Sequence, residues 1–326
     1  MSTLTFNGQE YVVQDDENVL DTLLRNKISI PHGCRAGACQ ACILIAKPDQ
    51  IPDDCQHGLS NQRIQQGYFL SCRCEPEQDM TLRLPDLSGE KHLATIAEKM
   101  QLNPKILRLR LHCRLRWRAG QYITLWLNDN TARCYSIASV ASLEDFIELH
   151  IRIYPNGAVS PQLLNTEIGD ELFIQGPYGE CVYDNKQSQQ SQQSQQSQQS
   201  ILLIAAGTGL APLFGVAKDA LNHDHQSTIH LLFTVKQASD YYMLDALQQL
   251  QADHPQFSYS LASADGPPHE TWQQQLQENF TELRGRRVYI CGGNDFVSQA
   301  KRQCFMQGAT GRDIICEEFI NFSAAS

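Results

Sequence analysis

The spacing of hydrophobic positions changes twice along the chain and divides it into three segments. In the first, about residues 1–88, Leu4 and Phe6, then Tyr11, Val12 and Val13, predict two strands around a turn at Asn7-Gly8. Asn18 is placed to cap a short helix whose Val19, Leu20, Leu23 and Leu24 recur at helical spacing. Apolar runs at 43–45 and 80–84 complete a small α+β unit wrapped around the loop between them. From about residue 92 to 184 alternation takes over. The runs 106–113, 122–127, 134–139 and 147–153 read as half-buried strands, and several at near-regular spacing indicate a barrel or sandwich. From 201 onward the period changes again. A continuous apolar run at 201–206, then runs at 229–235, 257–261 and 288–291, alternate with helical stretches at 211–221, 243–250 and 272–280. That alternation predicts a doubly wound, parallel α/β domain over residues 201–326. Between the last two segments, residues 187–200 read QSQQSQQSQQSQQS, with no apolar side chain to bury, and are expected to be a solvated linker.

Composition narrows the function classes. At 326 residues the chain is too long for one ordinary core, and 42% hydrophobic residues are enough to pack several. A formal net charge of -10 argues against nucleic acid, whose phosphates need a basic face, and suits docking to a basic protein patch. The first residues carry neither a basic nor an apolar export region, and no run approaches the roughly 18 apolar residues of a membrane span. A cytoplasmic location is therefore expected, where the 12 cysteines serve as metal ligands, reactive thiols or small buried hydrophobes.

Six of the 12 cysteines fall between Cys34 and Cys74. Three are spaced Cys34-x4-Cys39-x2-Cys42, and Cys72 follows after 29 further residues. This is the spacing of plant-type [2Fe–2S] ligands, in which a tight loop supplies three thiolates and a distant segment the fourth. Gly33 and Gly37 let the loop curl so that amides face the sulfurs. Structural zinc would instead pair two Cys-x2-4-Cys knuckles, and Cys72-x-Cys74 is not one. Cys55 and Cys74 are left as non-ligands. The stretches PHGCRAGACQAC and YFLSC resemble plant-type ferredoxin domains, with Gln40 where such domains often have glycine.

Further motifs follow in order. Arg133-Cys134-Tyr135-Ser136 resembles the RxYS motif of the ferredoxin–NADP reductase superfamily, a resemblance that implies a cation for a pyrophosphate, an aromatic face for an isoalloxazine and a hydroxyl for its N5 edge. Gly157-Ala158-Val159-Ser160 and Gly176-Pro177-Tyr178-Gly179 are glycine-bearing turns, the first opening a helix that could receive a phosphate through Ser160 and nearby amides. Gly207-Thr208-Gly209 with Pro212 follows the first α/β strand, and Cys291-Gly292-Gly293 ends a later one. Together these resemble the ferredoxin–NADP reductase superfamily, in the arrangement of the reductase components of multicomponent oxygenases.

The resemblance implies a multidomain fold: a β-grasp ferredoxin domain (1–88), an antiparallel flavin barrel (92–184) and a doubly wound nicotinamide domain (201–326). It implies FAD, with FMN as the alternative, a [2Fe–2S] cluster on Cys34, Cys39, Cys42 and Cys72, and a nicotinamide beside Cys291. Phe319, in the segment Glu317-Glu318-Phe319, would approach the flavin and gate nicotinamide stacking. The stretch Ser263-Ala264-Asp265-Gly266 has an acid and no arginine for a 2′-phosphate, which favours NADH over NADPH. The expected activity is NADH-driven electron transfer through FAD and the cluster to a partner such as an oxygenase or hydroxylase component. A flavin reductase serving small acceptors, a reductase for a deoxysugar dehydrase and a redox-sensing regulator are the rivals.

Overall fold

The structure, a computed structural model, describes residues 2–184, 198–267 and 271–319. In the first unit β1 (Thr3–Phe6) and β2 (Gln9–Val12) form the expected hairpin, with Asn7 and Gly8 both at positive φ in the turn. Asn18 caps α1 (Val19–Arg25) by accepting the Asp21 amide at 2.9 Å. The strand β3 (Ile43–Ile45), the short helix α2 (Asn61–Gln65), β4 (Tyr68–Leu70) and β5 (Met80–Leu82) follow. β5 lies parallel to β1, and β3 pairs with β4 in a second small sheet. Leu4, Leu20, Leu23, Phe69 and Met80 are fully buried between them. Each such side chain contributes roughly 1.5–3 kcal/mol on burial, so this small unit has its own core.

The second unit comprises β6 (Lys91–Asn103), β7 (Ile106–Cys113), β8 (Tyr122–Asn128), β9 (Thr131–Ser136), β10 (Ile147–Arg152), the single turn α3 (Ser160–Leu163) and β11 (Glu171–Tyr178). Six antiparallel strands run in the order β10-β7-β6-β11-β8-β9. An Ile137–Leu149 bridge and the Ala138 amide on the Glu148 carbonyl join the two edges, so the sheet closes into a barrel. β9 begins three residues earlier than the apolar pattern suggests and ends at Ser136. After Ser136 the chain leaves β8 and crosses to β10, which is where the apolar 137–139 stretch is used. β6 carried no clear alternation because charged and small residues interrupt its inward positions.

The third unit contains β12 (Ile201–Ala206), α4 (Leu210–Asn222), β13 (Ile229–Val235), α5 (Leu244–Asp253), β14 (Phe257–Ser263), α6 (Trp272–Asn279), β15 (Arg287–Gly293), α7 (Asn294–Met306) and β16 (Ile314–Phe319). Its five parallel strands are ordered β14-β13-β12-β15-β16. Chain order reverses between β12 and β15, and ligands of doubly wound sheets bind outside the carboxyl ends at such a switch point. The two glycine motifs, at residues 207–209 and 291–293, stand there.

Most of the Gln/Ser tract, residues 187–197, lies outside the described residues. Its last three residues are not linker: Gln198 O accepts the Ser227 hydroxyl at 2.6 Å, and Ser200 O accepts the Arg287 amide at 2.9 Å. Among the described residues no helix is long and apolar enough to cross a membrane.

Candidate active site and cluster loop

The loop between α1 and β3 is held by bonds to sulfur. The amides of Ala36 and Cys39 point at Cys34 Sγ at 3.4 and 3.2 Å, and the Cys34 amide at Cys39 Sγ at 3.3 Å. Cys42 lies beside Cys72, whose sulfur and the burial of the site push the Cys42 thiol well up. The four thiols therefore form two pairs, 34 with 39 and 42 with 72. A two-iron cluster shares four thiolates between two metals, so the donor set fits it. Cys74 stands apart, against Cys55 and 4.0 Å from Met80 Sδ. Gln40, at a positive φ, tethers the loop: its Oε1 accepts Arg63 at 2.6 Å.

The flavin barrel seats directly on this loop. Thr124 donates to the Cys39 carbonyl and Tyr122 to the Ala38 carbonyl, both at 2.9 Å. His32 bridges Thr131 as a parallel strand residue would. A Cβ on Gly33 would come within 2.8 Å of the Ala132 carbonyl and 3.0 Å of Cys39 Sγ, so only glycine permits the approach. Cys134 faces Cys39, and its neighbouring sulfur is the main reason the Cys39 thiol is pushed up to about 12.

Strand alternation turns Arg133 and Tyr135 to the other face of β9. Arg133 donates to the Ala132 carbonyl at 2.7 Å, and Tyr135 is half-buried beside the barrel core. Gly157 closes a turn on the Tyr154 carbonyl at 2.8 Å. Ser160 is buried and its hydroxyl accepts the Tyr154 amide at 3.1 Å. The hydroxyl thus braces this turn from within.

In the nicotinamide unit, Gly207 (φ 56°), Thr208 and Gly209 form a tight turn that leads into α4. A Cβ on Gly209 would stand 2.2 Å from the Cys291 carbonyl oxygen, and one on Gly292 2.9 Å from Ala206 Cβ. The two motifs are packed backbone to backbone across the switch point. Phe319, half-buried, is the last described residue and pairs with Gly293. Cys291 is fully buried, with its sulfur 3.7 Å from that of Cys181. Asp265 accepts the Ala238 amide through both carboxylate oxygens, at 3.0 and 3.3 Å.

Ser136 donates to Glu317 Oε1 at 2.5 Å and so joins the barrel to β16. Burial raises the Glu317 carboxyl to about 7, against the lowering effect of the serine. Its Oε2 is buried with no partner among the described residues. Sequence reasoning gave Glu317 no role. The only available signal was its place two residues before Phe319.

A dinucleotide turn at a switch point, a barrel closed beside it and paired cysteines on that barrel define an oxidoreductase. Residues 4–77 match the 2Fe-2S iron-sulfur cluster binding domain, 94–183 the oxidoreductase FAD-binding domain and 203–302 the oxidoreductase NAD-binding domain. The chain therefore carries an N-terminal 2Fe-2S domain followed by an FAD-binding and an NAD-binding oxidoreductase domain. It is 27% identical over 336 residues to the phenol hydroxylase P5 protein of Acinetobacter pittii (strain PHEA-2), covering 96% of this chain and 92% of that one. It is 28% identical to the ferredoxin–NAD(P)(+) reductase component of the naphthalene 1,2-dioxygenase system of Pseudomonas putida, with 86% of each covered. Among solved structures, the Amycolatopsis cytochrome P450 reductase GcoB superimposes with a TM-score of 0.66 at 23% identity, over 98% of this chain and 99% of that one.

Proposed function

We propose that this chain is an NADH-dependent reductase that moves electrons through FAD and a [2Fe–2S] cluster to an oxygenase or hydroxylase component. One observation carries the reading: β9 touches every part of the path. Thr131 and Cys134 meet the cluster loop, Arg133 and Tyr135 turn to the opposite face, and Ser136 reaches Glu317 of the nicotinamide unit. Six extended residues span about 20 Å, so all three chemistries lie within one strand's length.

FAD supplies the conversion from a two-electron hydride donor to a one-electron acceptor. The chain's own residues hold and orient. Cys34, Cys39, Cys42 and Cys72 are the metal ligands, and the amides aimed at their sulfurs stabilise negative charge there. Arg133 and the amides of the turn at Gly157 receive a pyrophosphate, with Ser160 keeping that turn in shape. Tyr135 offers a ring face, and Ser136 a hydroxyl whose direction Glu317 fixes. Gly207, Thr208 and Gly209 admit the dinucleotide at the head of α4, while Cys291, Gly292 and Phe319 border the nicotinamide. Asp265, with no arginine beside it in residues 263–266, would repel a 2′-phosphate, which favours NADH over NADPH. The electron-accepting partner docks on the cluster domain, in the cytoplasm. The relatives named as oxygenase reductase components support this choice of partner.

The test is an anaerobic NADH titration of the purified holoprotein, followed by visible absorption and low-temperature EPR. Uptake of about three electrons per chain, two by a flavin and one by a cluster, with a reduced-cluster signal, is expected. Reduction confined to the flavin would overturn the proposed path to the cluster.

A further inference from the structure

Behind the Ser136–Glu317 bond lies a group of possible metal ligands, one of which, Cys181, has no part in the reductase reading. Cys181 follows β11 at the end of the barrel, Cys291 is in β15, and Glu317 is in β16 directly opposite Cys291 in the strand register. Both cysteines are buried, their sulfurs are 3.7 Å apart, and a Glu317 carboxylate oxygen lies within 4.8 Å of each. Two sulfurs bound at about 2.3 Å to one tetrahedral ion stand ~3.8 Å apart. The thiols already have that separation. The carboxylate also keeps one buried oxygen without a partner among the described residues.

We propose that Cys181, Cys291 and Glu317 form a binding site for a thiophilic divalent cation of the zinc class, and that its occupancy arrests hydride transfer. Two thiolates select a soft or borderline ion over magnesium or calcium. Each thiol releases its proton to solvent as its metal–sulfur bond forms, and Glu317 releases the proton it holds when neutral, so two protons leave per ion, three where the carboxyl is protonated, and no redox change occurs. The fourth tetrahedral position is left to water or to the Ser136 hydroxyl. Arrest follows from geometry. The ion fixes Cys291, which borders the nicotinamide in the proposed function, and Glu317, which orients Ser136 there. That second clause rests on the proposed function, whereas the binding clause does not.

The test uses oxidised holoprotein with zinc chloride in a non-chelating buffer, without NADH. Zinc retained after desalting is counted by atomic spectroscopy in the unaltered protein and in Cys181→Ser, and visible absorption checks that the cluster is intact in both. One more zinc per chain in the unaltered protein is expected, with two sulfurs and two light atoms as neighbours by zinc-edge absorption. NADH–ferricyanide turnover is then measured across a zinc series. Losing even an outer-shell partner costs about 10–100-fold in metal affinity, so Cys181→Ser should keep its basal rate and need about 100-fold more zinc for inhibition. Cys181→Ala repeats the comparison should the serine variant lose flavin. Equal zinc retention in variant and unaltered protein overturns the site. Zinc retention at the site without loss of turnover overturns the arrest. A protein that takes up the extra zinc yet reduces no flavin with NADH in its absence points instead to failure of the reductase reading.

Discussion

Ser136 and Glu317 are 181 residues apart in sequence and joined by one hydrogen bond across the seam between the barrel and the nicotinamide unit. The serine ends β9 and the glutamate is in β16, so the bond forms only when both units are folded and docked. A buried carboxyl raised to about 7 beside a hydroxyl gives this seam a proton-holding pair at the proposed site of hydride transfer. Replacing Ser136 with Ala removes the donor and leaves Glu317 without its one partner. The rate of NADH-driven flavin reduction is expected to fall about 10²-fold, with the NADH dissociation constant little changed. Stopped-flow absorbance measures both, and an unchanged rate would remove Ser136 from the site.

The two cysteine sets separate cleanly by mutation. Cys39→Ser and Cys72→Ser should each abolish the cluster spectrum while flavin reduction by NADH survives. Cys74→Ser should keep the cluster, because Cys74 lies against Cys55 and Met80 rather than Cys42. A cluster lost in Cys74→Ser but kept in Cys72→Ser would exchange their roles.

Gly209→Ala places a methyl 2.2 Å from the Cys291 carbonyl oxygen. The nearest atoms are all backbone of Cys291 and Gly292, so no flexible side chain can yield. Overpacking of this kind costs about 1–3 kcal/mol. The expected result is a lower midpoint in thermal denaturation together with a raised KM for NADH. A change in neither would mean that α4 slides freely along β15.

How much of this was legible beforehand depended on distance along the chain. The Cys34–Cys42 spacing, the 201–206 strand and the Asn7-Gly8 hairpin were legible because their constraints act within a few residues. Ligands need a tight loop, a buried strand needs an unbroken apolar run, and a hairpin turn needs positive φ. β6 and β16 were not legible, since partly exposed strands carry mixed side chains and borrow their shape from neighbours. Glu317 and Cys181 are meaningful only through partners brought by other units, and no local pattern signals that. The reading of Asp265 as a coenzyme selector met a second constraint in the structure, because the same carboxylate caps the turn at Ala238.

Asp265→Arg therefore carries two effects. It should raise the NADPH:NADH ratio of kcat/KM, and it should loosen the 238–240 turn enough to lower activity with both coenzymes. Asp265→Asn keeps an acceptor for the Ala238 amide and serves as the comparison. A ratio unmoved in both variants would place coenzyme choice elsewhere.

Acid should weaken the barrel through Glu148. Glu148 is buried, and burial alone would raise its carboxyl. His150 at 3.0 Å and Arg110 at 2.6 Å outweigh that and hold it at about 2, below its ordinary 4.5. A carboxyl lowered on folding adds stability above its unfolded value and loses it as pH falls through the folded one. Up to about 3 kcal/mol is expected to disappear between pH 4.5 and 2. Urea denaturation at pH 7, 4 and 3 measures this, and Glu148→Gln should flatten the dependence. An identical slope in the variant would assign the acid loss to other carboxylates.

The clamp of Thr124, Tyr122 and Thr131 on the cysteine loop has a kinetic meaning. Glu90, in the connection between the two units, adds to it by bonding both Arg63 and Gln175. A ferredoxin module on a loose tether would deliver electrons by swinging, at a rate sensitive to viscosity and tether length. In the proposed electron path the donor and carrier share this bonded seam, so the internal hand-off would be a first-order event that dilution does not slow. On the proposed function only the meeting with the outside acceptor is a collision, and that step alone should respond to salt and crowding.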